Sequence, residues 1–232
     1  MSRALAVPAL ALLALLAAGP ASATSATVEL QAPTGSRAWT ARLLAAVSAR
    51  TAPDRSARVI TTLQPIAPLG GGATTLLVTG TKVADGRQWV RVMLPVRPNG
   101  SQGWVPADPL AFRPVSSRLV VDQSDRRLTV YKQGRPVYRT TVAIGAADTP
   151  SPNGRFAIAE VIPTGDPGGF YGPYVLPLTG FSERLNEYAG GNGRVALHGT
   201  SLPGLLGTRA SHGCIRIANA AIRRIAAIVS TG

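Results

Sequence analysis

The sequence predicts a mainly β chain of two consecutive modules closed by one amphipathic helix. Three observations carry that reading. Short runs of β-branched and aromatic residues recur between about Ala41 and Ile162. Asp-Gly, Asn-Gly and Gly/Pro-rich turns punctuate them, drawn from 25 glycines and 19 prolines in 232 residues. A sustained helical spacing follows them only near the C-terminus. With 45% hydrophobic and 15% charged residues, the composition excludes a disordered or fibrous chain and allows one large or two small globular units.

The chain opens with Met1-Ser2-Arg3, an apolar stretch from Ala9 to Ala18, Gly19-Pro20, and Ala21-Ser22-Ala23, a small-x-small cleavage pattern. Residues 1–23 are therefore expected to be a signal peptide, with Thr24 the mature start, though a signal anchor is the alternative. The stretch is shorter than the roughly 20 residues a bilayer requires. No cysteine follows it, which excludes a lipid anchor, and no second apolar segment is long enough to span a membrane. The expected location is outside the cytoplasmic membrane, in the periplasm or cell wall. Residues 24–40 are Ala/Thr/Pro-rich and read as a flexible lead.

From 41 to 113 the strand-like runs include Thr75-Leu76-Leu77-Val78 and Trp89-Val90-Arg91-Val92, separated by Gly70-Gly71-Gly72, Asp85-Gly86 and Asn99-Gly100. Asp-Gly and Asn-Gly between apolar runs are hairpin signals, so this is a small all-β module. Its ending, Gly103-Trp104-Val105-Pro106-Ala107-Asp108-Pro109-Leu110, resembles bacterial SH3-like domains, which implies a small SH3-like β-barrel. Core packing is the simpler reading of Trp89.

The second module, 114–232, starts with Arg118-Leu119-Val120-Val121, a polar turn at 122–125, and Arg127-Leu128-Thr129-Val130-Tyr131. Val137 to Ile144 and Arg155 to Ile162 read as further strands. Pro163 to Gly180 is dense in Gly and Pro and holds Phe170, Tyr171 and Tyr174; it reads as an irregular loop over a site. In Ala218 to Val229, Ile222, Ile225, Ala226 and Val229 fall on one helical face. Asn219 is placed to cap the start, and Arg223 and Arg224 point away.

Lys and Arg number 24 against 11 Asp and Glu, a net charge of +13. Losing Arg3 with the leader leaves +12, which favours an anionic polymer as neighbour. The charge divides evenly: 10 basic against 4 acidic residues over 24–113, and 13 against 7 over 114–232. Without a basic cluster, specific nucleic-acid binding is not expected.

One cysteine excludes an intramolecular disulfide and a Cys-rich zinc module. That cysteine and the only two histidines lie within seventeen residues, in His198-Gly199-Thr200 and Ser211-His212-Gly213-Cys214-Ile215-Arg216. Singly, each has a plain structural explanation: an inert buried thiol, a hydrogen-bonded histidine, a turn serine, a surface arginine. Their clustering argues for chemistry instead. A nucleophilic cysteine needs a base, a group to orient the base, and donors for an oxyanion. Val195-Ala196-Leu197 reads as a strand delivering His198, Gly199 offers a bare carbonyl, and Gly213 lets backbone N–H groups turn toward a substrate.

These residues resemble the signature of L,D-transpeptidases, the cysteine enzymes that remodel bacterial peptidoglycan. The upstream run Leu119 to Asp122, Arg127 to Tyr131, Ile144-Gly145 and Thr149-Pro150-Ser151-Pro152-Asn153-Gly154-Arg155-Phe156 is similar to the family's opening, so the resemblance covers about 117–230. It implies a β-sandwich with a C-terminal helix, in which Cys214 is acylated, His198 is its base and the Gly199 carbonyl orients the imidazole. The N–H groups of Gly213 and Cys214 would form the oxyanion hole, with His212 in support. Arg216 is expected to meet a substrate carboxylate. Ser211, Thr200, Phe170, Tyr171 and Tyr174 would line the substrate side, the three aromatics on a lid. Such domains run past the helix into a final strand, whereas this sequence closes on Ser230-Thr231-Gly232, which would leave a sheet edge unpaired.

The expected partners are peptidoglycan stem peptides, with carbapenem-type β-lactams as inhibitors, and no cofactor or metal is implied. The expected reaction is a 3→3 cross-link made through a Cys214 thioester. The same thiol would serve an L,D-carboxypeptidase or a wall-protein anchoring enzyme. Two rivals remain from other classes: a zinc enzyme with His198, His212 and Cys214 as ligands, and a non-catalytic wall-binding protein.

Overall fold

The computed structural model describes residues 29–188 and 190–232. The expected leader, 1–23, lies outside them. Seven strands come first: β1 (Ala38–Leu43), β2 (Val47–Arg50), β3 (Val59–Leu63), β4 (Thr75–Ala84), β5 (Arg87–Met93), β6 (Gln102–Pro106) and β7 (Leu110–Val115). They form one sheet in the order β3-β2-β6-β5-β4-β1-β7. β4 and β5 are joined by the two residues Asp85-Gly86, both at positive φ, the twist a tight hairpin requires. Leu43, Val47, Val78, Val90, Val92, Leu94 and Val105 fill the core of this sheet, and Trp89 is also buried.

Order starts earlier than the composition of the lead implied. Leu30 packs into the same core at 5% exposure, and Ala38 to Thr40 belong to β1, so the 24–40 lead is too long at its C-terminal end. The expected 113/114 boundary falls inside β7, because Arg113 and Pro114 pair with Thr40 and Trp39 of β1. The passage to the next sheet is at Ser116.

The second half contains β8 (Ser117–Asp122), β9 (Arg127–Lys132), β10 (Arg135–Gly145), β11 (Ile162–Pro163), β12 (Tyr174–Phe181), β13 (Arg194–His198), β14 (Arg209–Ser211) and β15 (Ile215–Ile217). The order β11-β12-β13-β15-β10-β9-β8 describes the sheet, with β14 attached to β10. Helix α1 (Asn219–Ile228) buries Ala221, Ile222 and Ile225 against Leu128, Val130, Val142, Ile144, Leu176 and Ile217. It is amphipathic as its spacing predicts, with Arg223 and Arg224 exposed. Among the described residues no helix is long and apolar enough to cross a membrane.

Three expectations for this half are corrected. Residues 155–161 are not a strand; they run alongside β12 through an isolated bridge, Ile158 to Leu178, and the bonds Ala159 N–H to Pro177 O and Thr179 N–H to Ala157 O. The Pro163 to Gly180 stretch does contain a regular element, β12, because Leu176 and Leu178 reach the core despite Pro177. Proline has no N–H to give, and the register shifts after it, between Pro177 and Phe181. Asn219 is the first helical residue rather than the cap, which is Ala218; its side chain is used elsewhere.

Ile225 is fully buried between helix and sheet. Ile225→Ala is expected to lower the unfolding free energy by about 2–5 kcal/mol, read from urea denaturation, because the cavity under α1 cannot collapse fully.

Candidate active site

The site is built where two parallel strands lie side by side. β13 and β15 pair in the register Leu197 to Ile215 and His198 to Arg216. β13 is buried along most of its length, so its last residue, His198, emerges at 1% exposure. Cys214 sits one residue before β15 and is partly exposed. Register therefore brings the turn carrying the thiol beside Ala196 and makes Arg216 the cross-strand neighbour of the imidazole.

His198 Nδ1 lies 2.6 Å from the Gly199 carbonyl. A carbonyl only accepts, so Nδ1 carries the proton and Nε2 is left as the basic nitrogen. Burial lowers the imidazole pKa from 6.5 to about 4; the Gly199 bond opposes the shift and the Arg216 charge adds to it. Burial raises the Cys214 thiol above its ordinary value, against a backbone hydrogen bond from Ala196 and the attraction of Arg216. At neutral pH the resting pair is thus a thiol and a neutral imidazole, not an ion pair.

The Cys214 turn is held by two serines. Ser211 is buried; its hydroxyl donates to the Cys214 carbonyl at 2.5 Å and accepts from Gly213 N–H at 3.2 Å. Ser151, also buried, donates to the Gly213 carbonyl at 2.8 Å and accepts from Gly145 N–H at 2.9 Å. Gly213 has φ +115°, a conformation only glycine adopts without strain. Gly213 N–H, expected to face a substrate, donates to Ser211 in this resting arrangement. Ser211, expected on the substrate side, braces the turn through these two bonds.

Thr200, expected on the substrate side, is tied into the same framework. It is buried, its hydroxyl accepts from Leu202 N–H, and its own N–H donates to Asn219 Oδ1 at 2.8 Å. Asn219 Nδ2 donates in turn to Pro167 O at 3.1 Å, so one side chain joins the start of α1, the segment after His198 and the loop above it. That loop carries Phe170 and Tyr171, 44% and 42% exposed. Phe170 stacks on His198 with centroids 6.0 Å apart, Tyr171 meets the same ring edge-on at 5.1 Å, and the Arg216 guanidinium lies 5.1 Å from the Phe170 centroid. Tyr174 is not on the lid; it opens β12 and packs on the core.

Arg216 is 6% exposed, and its Nε has no hydrogen-bond partner among the described residues. A buried guanidinium with spare donors is a ready receptor for a carboxylate. His212 is exposed and stacks on Tyr188 at 4.6 Å. Among the described residues no three His, Cys, Asp or Glu side chains stand together as metal ligands.

Three contributors escaped the sequence reading. Ser151 lies in the Thr149 to Phe156 run, but nothing in its neighbours announces a hydroxyl that bridges the Gly213 carbonyl and the Gly145 amide. Asn219, whose position suggests a helix cap, instead ties Thr200 to Pro167. Tyr188, an aromatic in a polar, Gly-rich segment, was the available signal for a loop facing the site.

Comparison with known proteins defines the class. Residues 116–232 match the YkuD family, the L,D-transpeptidase catalytic domain. The chain belongs to that family. A Bacillus licheniformis protein named "Putative L,D-transpeptidase YkuD" is 30% identical over 156 residues, which cover 64% of this chain and 86% of that one. Among solved structures, a mutant Enterococcus faecium L,D-transpeptidase is similar at 21% identity with a TM-score of 0.36, over 50% of this chain. This chain spans 46% of that protein's length. The structure of an LD transpeptidase in complex with imipenem is similar at 15% identity and a TM-score of 0.41, over 66% of this chain and 95% of the other.

Two outcomes follow from the geometry. Because His198 stays neutral above about pH 4 and the thiol is raised, iodoacetamide alkylation of Cys214 is expected to rise continuously through neutral pH. An ion pair would instead give a plateau beginning on the acid side of neutrality, which mass spectrometry of the alkylated protein would reveal. Ser151→Ala is expected to cost about 1–3 kcal/mol in urea denaturation, since it leaves the Gly213 carbonyl and Gly145 amide unpaired in a buried place.

Proposed function

We propose that this protein is a peptidoglycan L,D-transpeptidase that forms 3→3 cross-links through a thioester on Cys214. The observation that carries the reading is the His198 imidazole, its Nδ1 proton tied to the Gly199 carbonyl, on the strand next to the Cys214 turn. Membership of the L,D-transpeptidase family supplies the substrate class.

In this reading Cys214 Sγ attacks the carbonyl of the third residue of a donor stem as His198 Nε2 takes the thiol proton. The C–S bond forms, and the oxyanion is met by the N–H of Cys214, joined by that of Gly213 if it leaves Ser211. Collapse breaks the C–N bond to the D-residue in position four, and the imidazolium protonates the departing amine. A neutral carbonyl steadies an imidazolium less than a carboxylate would, and Arg216 disfavours it further. The proton is therefore returned readily. An acceptor amine then attacks the thioester, His198 takes its proton, and the released thiolate is reprotonated. Arg216 would hold a stem carboxylate, with Phe170 and Tyr171 over the donor.

The same reading makes the N-terminal sheet an SH3-like unit, supported by the side-by-side pairing of Trp89 to Met93 with Gln102 to Pro106. The leader-like first 23 residues and the cationic remainder support export to an anionic wall.

Purified protein is expected to convert defined tetrapeptide muropeptides to cross-linked dimers, seen by mass spectrometry, and to gain a carbapenem adduct on Cys214. Cys214→Ala loses both. Tripeptide product without dimer would make the enzyme a carboxypeptidase. Retention of sacculus binding by a wild-type protein that makes neither product and takes no adduct would make it a wall-binding protein.

A further inference from the structure

The two sheets meet at a point that bears on the cleft. The turn between β5 and β6 reaches across to the 182–193 loop joining β12 to β13. Arg97 Nη1 donates to the Ser182 carbonyl at 2.7 Å, and Nη2 donates to the carbonyls of Leu185 at 3.0 Å and Asn192 at 3.2 Å. Three carbonyls from both ends of one loop thus converge on a single guanidinium, which also lies 4.9 Å from the Phe181 ring centroid. Asn99 holds the backbone of Phe181 from two sides, Nδ2 donating to its carbonyl and Oδ1 accepting from its N–H, both at 2.8 Å.

The loop closes on itself at the same neck, through Ser182 N–H to Gly193 O at 2.8 Å. Ser182 Oγ caps the N–H groups of Arg184 and Leu185. A side chain at Gly193 would run into Leu185 O and Arg97, and φ there is +73°. At the far end, Tyr188 and Gly191 exchange both backbone hydrogen bonds at 2.9 Å, making a tight tip. That tip lays Tyr188 on His212, two residues before the thiol. Burial raises the Tyr171 phenol above its ordinary value, and the neighbouring Cys214 and Tyr188 add to the shift.

We propose that Arg97 and Asn99 are positioning residues for substrate binding: the N-terminal sheet holds the neck of the 182–193 loop, and the loop holds Tyr188 on His212 as the second wall of the stem-peptide cleft. The first wall is the Phe170-Tyr171 loop over His198. This inference rests on the reading of the site as a stem-peptide acyltransferase, but the clamp itself is testable without turnover.

Arg97→Ala and Asn99→Ala, both changes on the partly exposed turn, are made in the full chain and compared with wild type. Hydrogen exchange followed by mass spectrometry is expected to quicken about tenfold or more at the amides of 184–191 in each variant, while β13 and α1 keep their protection. With tetrapeptide muropeptide, KM is expected to rise several-fold with kcat and the iodoacetamide rate of Cys214 unchanged. Tyr188→Ala is expected to raise KM similarly, and the double variant Arg97→Ala/Tyr188→Ala no further, as residues acting through one another do. Unchanged exchange in both single variants overturns the clamp. Additive KM effects, or equal losses in kcat and alkylation, overturn the positioning role. A wild-type protein that turns over no stem peptide overturns the functional reading and the substrate half of this inference, and exchange then decides the clamp alone.

Discussion

Everything in the site depends on β13 and β15 lying parallel and in one register. That pairing sets the imidazole, the thiol turn and the guanidinium of Arg216 at fixed offsets on neighbouring strands. A slip of one residue would turn His198 toward the opposite face of the sheet and remove Arg216 from its side. The register is fixed by burial: Val195, Leu197, Ile215 and Ile217 share the core with Ile222 and Ile225 of α1. The helix therefore serves the chemistry without touching it, apart from Asn219 at its first turn.

The electrostatics follow from that placement. His198 is almost wholly removed from water, and its orienting partner is a neutral carbonyl. Arg216, pressed against Phe170, is a permanent positive charge close enough to disfavour a second one. Desolvation disfavours charge on both the ring and the sulfur, and Arg216 favours only the thiolate. The resting state keeps its proton on sulfur and leaves the imidazole neutral.

Much of the fold was legible because its signals are local. The Asp85-Gly86 hairpin, the β8 to β9 pair and the amphipathic α1 can each be read from fewer than twenty residues. The errors arose where long-range packing overrode local pattern. Pro177 reads as a breaker, yet Leu176 and Leu178 are drawn into the core and take it into a strand. Residues 155–161 alternate like a strand, but their partner beyond Leu178 is a shifted stretch of β12, so the ladder does not extend. At the site, the chemical elements Cys214 and His198 stood out by rarity, whereas Ser151 and Tyr188 did not. Their value lies in what they touch, 62 and 24 residues away in sequence.

One contact outside the cleft bears on ancestry. Glu160 is buried, and its carboxylate accepts from the N–H groups of Leu69, at 3.2 Å, and Gly70, at 2.5 Å, in the first sheet; nearby, Thr179 leans on Met93. If recombination replaced the N-terminal half with an unrelated one, the buried Glu160 side chain would lose its Leu69 and Gly70 donors and keep only the neighbouring charge of Arg194. The Leu69-Gly70 turn and Glu160 must then be inherited as a set, or lost as a set. Relatives that carry a different companion ahead of the same catalytic sheet should show a neutral side chain where this chain has Glu160, a mark of which pairings have evolved together.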